Sequence, residues 1–225
     1  MGPGTHARRV AGAWLIGVAT AFVILGASIA PFLTPPVVRV EQDRTAVYSN
    51  TGWTHAMIDE VTQSLLGDLV FWTGDFGAWG NTIMRFQEHA LTDPERAHMR
   101  DVRNVFTAFW LLVLASVVVL ARTFRQARGS EVRAAAWQAV SRGAAGLAVG
   151  LVVAGAFAAV AFDAAFELFH RLFFSAGSYS FDPEHSKLIQ LFPERFWSEI
   201  SIAVAVVAIV LSLVTWRQAR RRAIR

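Results

Sequence analysis

Two short stretches of this chain hold residues that could do chemistry. In ERAHMRDV, His98 and Asp101 stand three residues apart, and in FDAAFELFHRLFF, Asp163, Glu167 and His170 recur at i, i+4 and i+7. On a helix each set shares a face. Imidazole gives and takes protons near neutral pH, and a carboxylate beside it can fix which ring nitrogen carries the proton, so either set could serve acid–base catalysis. Phe162, Phe166, Phe169 and Phe173 fall on the stripe next to the acids and His170, which sets titratable groups beside a wall of rings. Plain structural readings fit the same spacing. His98 and Asp101 would then form a solvated turn at a membrane surface, and the acids around His170 would reach for water at a polar rim.

Those residues must be positioned by a membrane protein. Of the 225 residues, 54% are hydrophobic and 17% charged, and the mean hydropathy is +0.41, too apolar for an ordinary soluble domain. Four stretches approach the roughly 20 apolar residues that cross a bilayer: residues 10–30, 104–121, 143–162 and 200–216. The N-terminal tail, the segment 122–142 and the tail from Arg217 carry twelve basic residues and one acid, Glu131. Segments 31–103 and 163–199 carry nine basic residues and sixteen acids. The positive-inside rule then places both termini in the cytoplasm and both acidic segments outside. The excess of arginine is an orientation signal rather than a nucleic-acid footprint. Ala27 to Ala30 has small residues in the style of a leader cleavage site, but the apolar run is longer than a leader core and reads as an anchor.

Segment 31–103 is long enough to carry structure. The β-branched run from Val37 to Tyr48 predicts a strand, and Met57, Ile58, Val61, Leu65, Leu66 and Leu69 predict a helix between Thr54 and Phe71. A glycine-punctuated loop, TGDFGAWGN, and a short apolar piece over 82–86 come next. Asp93 with Pro94 behind it predicts an N-cap, from which a helix runs straight into the second span. Segment 178–200 predicts an amphipathic lid across the interface, with Trp197 as a belt residue. The fold expected is an all-α membrane protein of four transmembrane helices, with a small mixed α/β extracytoplasmic domain and an interfacial lid. Gly146 and Gly150 form a GxxxG that predicts close helix packing within a monomer.

The chain has no cysteine, which removes disulfides, thiol nucleophiles and thiolate metal ligands together. His55, His89 and His185 also belong to the outer segments, yet no HExxH or related ligand spacing is present, and no GxSxG elbow supplies a serine nucleophile. The arginine tail RQARRRAIR fixes topology and touches anionic lipid.

Three blocks together, ERAHMRDV at 95–102, FDAAFELFHRLFF at 162–174 and FDPEHSKLIQLFPERFW at 181–197, resemble the signature blocks of the bacterial lipoprotein intramolecular transacylases, the Lit family. The resemblance covers the four-span layout and both outer segments. The match departs at Ser186 and Lys187, where an aspartate is expected before the Leu–Ile pair, and it is poor from 31 to about 86. The resemblance implies His98 and His170 as the catalytic pair. It also implies a diacylglyceryl lipoprotein as substrate, transfer of its sn-2 acyl chain to the α-amine of the N-terminal cysteine, and no cofactor or metal. Asp101, Asp163 and Glu167 are then expected as supporting groups that set histidine tautomers. The site is expected on the extracytoplasmic face of a bacterial cell membrane, in a monomer that contacts membrane lipid and no nucleic acid. Two other readings stay open: a non-catalytic membrane protein whose outer domain binds a lipid or protein partner, and an acyl transfer that draws on another lipid.

Overall fold

The computed structural model describes residues 3–76, 90–175 and 177–224, with side chains from Val10 onward. Four helices are long and apolar enough to cross a membrane: Val10–Leu33, Asp93–Gln126, Ser130–Val160 and Glu194–Ile224. In chain order the helices are α1 (Pro3–Ile29), α2 (Pro35–Arg44), α3 (Val47–Thr51), α4 (His55–Leu66), α5 (Asp93–Gln126), α6 (Ser130–Val160), α7 (Phe162–Phe173), α8 (Lys187–Leu191) and α9 (Glu194–Ile224). The chain divides into two compact units. The first holds Met1–Ile29, Phe109–Phe157 and Ala203–Arg225, and the second holds Ala30–Ala108 and Ala158–Ile202.

In the first unit, large apolar side chains such as Leu111, Leu114, Val153, Val206 and Val210 are exposed, as expected of surfaces whose solvent is hydrocarbon. What packs the helices is close backbone approach. A Cβ on Gly143 of α6 would fall 2.5 Å from Gly17 Cα of α1, and a Cβ on Gly26 would fall 2.9 Å from Val113 of α5. A Cβ on Gly146 or Gly150 would meet nothing within 4 Å. The GxxxG expectation is therefore corrected. The pair lies on the outer face of α6, and the small-residue contact is made by Gly143, one turn earlier.

The second unit overturns the expected α/β domain: the described residues contain no strand, and the valine-rich run from 37 to 48 is helical in α2 and α3. Thr34 is extended (φ −100°, ψ 139°), and prolines occupy the first two positions of α2, where the missing N–H groups are unpaired anyway. A side chain then fixes the packing. Buried Gln42 donates to Leu191 O at 3.3 Å and accepts the Thr62 hydroxyl at 3.1 Å, linking α2 to α4 and α8. Thr54 caps α4 by accepting the Met57 N–H, and α4 buries Ile58, Val61 and Leu65 as the helical period predicted. α8 is no detached lid. Leu188 and Leu191 lie in the same core as Val47, Val61 and Leu65. The apolar piece expected at 82–86 lies outside the described residues.

One acid is held at a disadvantage. Glu41 on α2 is 8% exposed, and burial, assisted by a hydrogen bond with Glu199, pushes its carboxyl up from the usual value. Glu199 meanwhile holds Arg44 at 2.8 Å and Arg195 at 2.6 Å. A raised folded-state value means that stability is complete below the ordinary carboxyl range and is lost as pH rises through the raised one.

Two measurements check this packing. Gly143→Ala should lower the thermal stability of the detergent-solubilised protein by about 1–3 kcal/mol through overpacking, whereas Gly146→Ala should leave it unchanged or raise it by up to about 1 kcal/mol. Glu41→Gln keeps a hydrogen-bond donor and removes the ionisation. Its melting temperature should exceed the parent's at neutral pH and approach it near about pH 3, where the carboxyl is protonated in both states.

Candidate active site

α5 begins one residue before its expected start. The Arg96 N–H donates to Thr92 O at 2.9 Å, which makes Thr92 rather than Asp93 the capping residue. Glu95 reaches back to accept the Thr92 N–H at 2.7 Å and its hydroxyl at 2.8 Å, the return half of a capping box. Its other oxygen accepts the Ser186 hydroxyl at 2.5 Å and the Leu188 N–H at 3.0 Å. Glu95 is 1% exposed, so a buried carboxylate with four donors fastens the first turn of α5 to α8. Ser186 also accepts the Ile189 N–H and so caps α8. An aspartate at 186 would set a second carboxylate against Glu95, and serine supplies a donor in its place.

His98 lies one turn beyond Glu95, buried. Its Nδ1 is buried with no hydrogen-bond partner. Asp101 is exposed, and no described hydrogen bond joins it to His98. His170 arrives on α7. α6 ends at Val160, Ala161 leaves helical geometry (φ −145°, ψ 61°), and α7 starts at Phe162. His170 is buried, and its Nδ1 lies 2.8 Å from Phe166 O. A carbonyl only accepts, so Nδ1 carries the proton and the neutral ring presents the Nε2 lone pair.

The two rings face each other at 6.1 Å between centroids with 23° between planes. Phe174 packs against both, 4.9 Å from His98 and 5.5 Å from His170. Phe181 adds an edge to His98 at 5.8 Å, and Phe166 and Tyr179 close on His170 at 4.1 and 4.9 Å. Beside this pair lies a groove of about 410 Å³ lined by Glu167, Arg171, Phe174, Gly177, Tyr179 and Ser180, a volume within the range of small-ligand sites.

Of the carboxylates expected to set tautomers, Glu167 takes other partners and Asp101 and Asp163 are exposed. Glu167 accepts from Arg171 at 2.7 Å and from the Tyr179 hydroxyl at 3.2 Å, and the guanidinium holds its carboxyl below the usual range. Asp163 is exposed in the first turn of α7. Two arginines on α7 and α5 are engaged as well: Arg171 with Glu167, and Arg103 with Gly74 O at 2.8 Å, Asp75 at 3.2 Å and the Trp72 ring at 4.3 Å. His55 pairs with Asp43 and His185 with Asp182, both at the surface, and His89 lies outside the described residues. Sequence reasoning missed Glu95, Phe174, Tyr179 and Phe181. The aromatic run around SYSF was the available signal for the last two.

With that geometry in place, comparison with known proteins is decisive. The family model for lipoprotein intramolecular transacylase Lit matches residues 14–197. The chain belongs to the Lit family. Three solved structures of the membrane-integral Lit of Bacillus cereus share its fold. The first is 18% identical, with a TM-score of 0.76 and 96% of each chain covered. Two others carry a histidine replaced by arginine (17% identity, TM-score 0.69, 97% of this chain and 93% of that one) or by alanine (17%, 0.63, 96% and 94%). No curated protein matches the sequence. The Lit match includes both histidines, Glu95 and α8, and stops before the arginine-rich end of α9.

Glu95→Ala should strand the Thr92, Ser186 and Leu188 donors. Loss of a buried partner costs about 1–3 kcal/mol for each group left unsatisfied, so the variant should melt well below the parent and exchange the Leu188 amide faster, with Glu95→Gln intermediate.

Proposed function

We propose that this chain moves the sn-2 acyl chain of a diacylglyceryl lipoprotein to the α-amine of its N-terminal cysteine, with His98 and His170 as the proton-transfer pair. The observation that supports it best is the pair of buried imidazoles facing each other inside an aromatic cage, beside an open groove, in a member of a transacylase family.

The chemistry requires two proton transfers. An α-amine with a pKa of about 7.7–8.0 must shed a proton to attack. That first proton goes to solvent. The free amine then bonds to the ester carbonyl, its nitrogen gives a second proton to the base as the C–O bond to the glycerol sn-2 oxygen breaks, and the departing alkoxide takes a proton. The products are an amide and a lyso-glyceryl lipoprotein, with nothing consumed. His170, whose Nδ1 proton is committed to Phe166 O, presents Nε2 as the base. His98 takes the second amine proton from the opposed ring as the alkoxide forms and passes it to the leaving oxygen, which returns both rings to their starting state. Asp101, Asp163 and Glu167 act at longer range, on the field of the site rather than on tautomers. Donor and acceptor are parts of one molecule, so the protein need only fold the ester onto the amine, an arrangement in which effective molarities become very large.

The charge asymmetry of the connecting segments supports cytoplasmic termini and a site on the extracytoplasmic face. There the lipoprotein presents its amine beside the bilayer.

Incubation of the purified protein with a synthetic diacylglyceryl lipopeptide tests the proposal. Mass is conserved while fragmentation moves one acyl chain from glycerol to nitrogen. His98→Asn and His170→Asn should each lower the rate by about 10²–10⁴-fold with unchanged melting temperature. Parental rates in either folded variant contradict the assignment, and absence of transfer by the parent protein favours a binding role.

A further inference from the structure

The first unit carries a second site, at the opposite charge extreme. Between α6 and α9, at the ends rich in arginine, lies a groove of about 380 Å³ whose lining includes Ser141, Arg142, Ala145, Trp216, Arg220 and Ile224. Residues 198–225 fall outside the Lit match, so half of this groove belongs to no part of the family pattern.

Its electrostatics are unbalanced. Among the described residues, neither Arg142 nor Arg220 forms an ion pair with an acid. The one acid in the basic segments, Glu131, is ten residues before Ser141 on α6, about 15 Å along the helix, beyond a Debye length at physiological salt. The positive charges are also held in place. Arg220 lies over the Trp216 ring at 5.2 Å, and Arg222 lies over Trp137 at 4.7 Å. Ring contacts leave the guanidinium edge free to donate, and that planar fork matches the oxygens of a phosphate.

The groove is amphipathic as well as basic. Ala145, Ala223 and Ile224 form an apolar wall, and Trp216 has the amphipathic ring that residues at a membrane–water boundary favour. A free phosphate would use the arginines alone, whereas a lipid would also use the wall. A zwitterionic headgroup would bring its own ammonium against two guanidiniums, while a net-anionic one would not.

We propose that this groove binds the phosphate of a net-anionic glycerophospholipid, held by Arg142 and Arg220 with its glycerol and upper acyl chain against Trp216, Ala145 and Ile224. The site uses none of the residues assigned to acyl transfer and is independent of the reading given to His98 and His170.

The full-length protein in neutral detergent can be titrated with phosphatidylglycerol, phosphatidylcholine or inorganic phosphate while its thermal unfolding is followed. Phosphatidylglycerol should raise the melting temperature saturably. The double variant Arg142→Gln with Arg220→Gln should weaken that response about tenfold or more, whereas a charge-matched control, Arg125→Gln with Arg133→Gln, should retain it. Both variants should keep the parental rate of acyl transfer. Should the double variant fail to fold, Arg142→Gln and Arg220→Gln taken singly are each expected to weaken the response. An equal loss in the control overturns the site in favour of diffuse attraction. An equal response to phosphatidylcholine overturns the charge argument, and a full response to inorganic phosphate overturns the lipid in favour of a simple anion site.

Discussion

The arrangement on which the rest depends is the face-to-face approach of two imidazoles, His98 and His170, 6.1 Å apart inside a ring of phenylalanines. They come from distant parts of the chain, so each needs an anchored support. α5 supplies one: it is continuous from Asp93 to Gln126, and its first turn is fastened by Glu95. A buried carboxylate is costly unless its oxygens are satisfied, and the four donors from Thr92, Ser186 and Leu188 satisfy both. The break at Ala161 supplies the other. It lets α7 start afresh beyond the end of α6, and the carbonyl of Phe166 then fixes the His170 ring.

How much of this could be read in advance depended on the physics behind each signal. Four apolar helices were readable because the hydrocarbon core demands length and apolarity and little else. The period of Ile58, Val61 and Leu65 was readable because those positions face one core. The valines from 37 to 40 misled because β-branching favours strands only where strand partners exist. Here Pro35 and Pro36 set helical φ at the start of α2, and Gln42 finds its partners on α4 and α8. Gly146 and Gly150 misled because spacing shows that two residues share a face and leaves open what the face meets. The contact instead pairs Gly143 with Gly17, from separate helices.

The site was legible in its histidines and illegible in their surroundings. Spacing placed Asp101 near His98 and Glu167 near His170, yet Asp101 stays in solvent and Glu167 turns to Arg171 and Tyr179. A backbone carbonyl does the orienting at His170, and no side-chain pattern announces a carbonyl. Glu95 has the place of an ordinary first-turn acid, and half of its donors, those of Ser186 and Leu188, are brought in by tertiary structure. That same contact gives physical sense to the serine at 186.

The proximity of the two imidazoles is open to direct measurement because the chain has no cysteine. A protein carrying His98→Cys together with His170→Cys, kept in its native membrane and treated with a mild oxidant or a short thiol cross-linker, should form an intramolecular bridge and lose maleimide reactivity at both positions together. Two thiols that stay independently reactive, with no bridge formed, would contradict the convergence of His98 and His170 and with it the proposed catalytic pair.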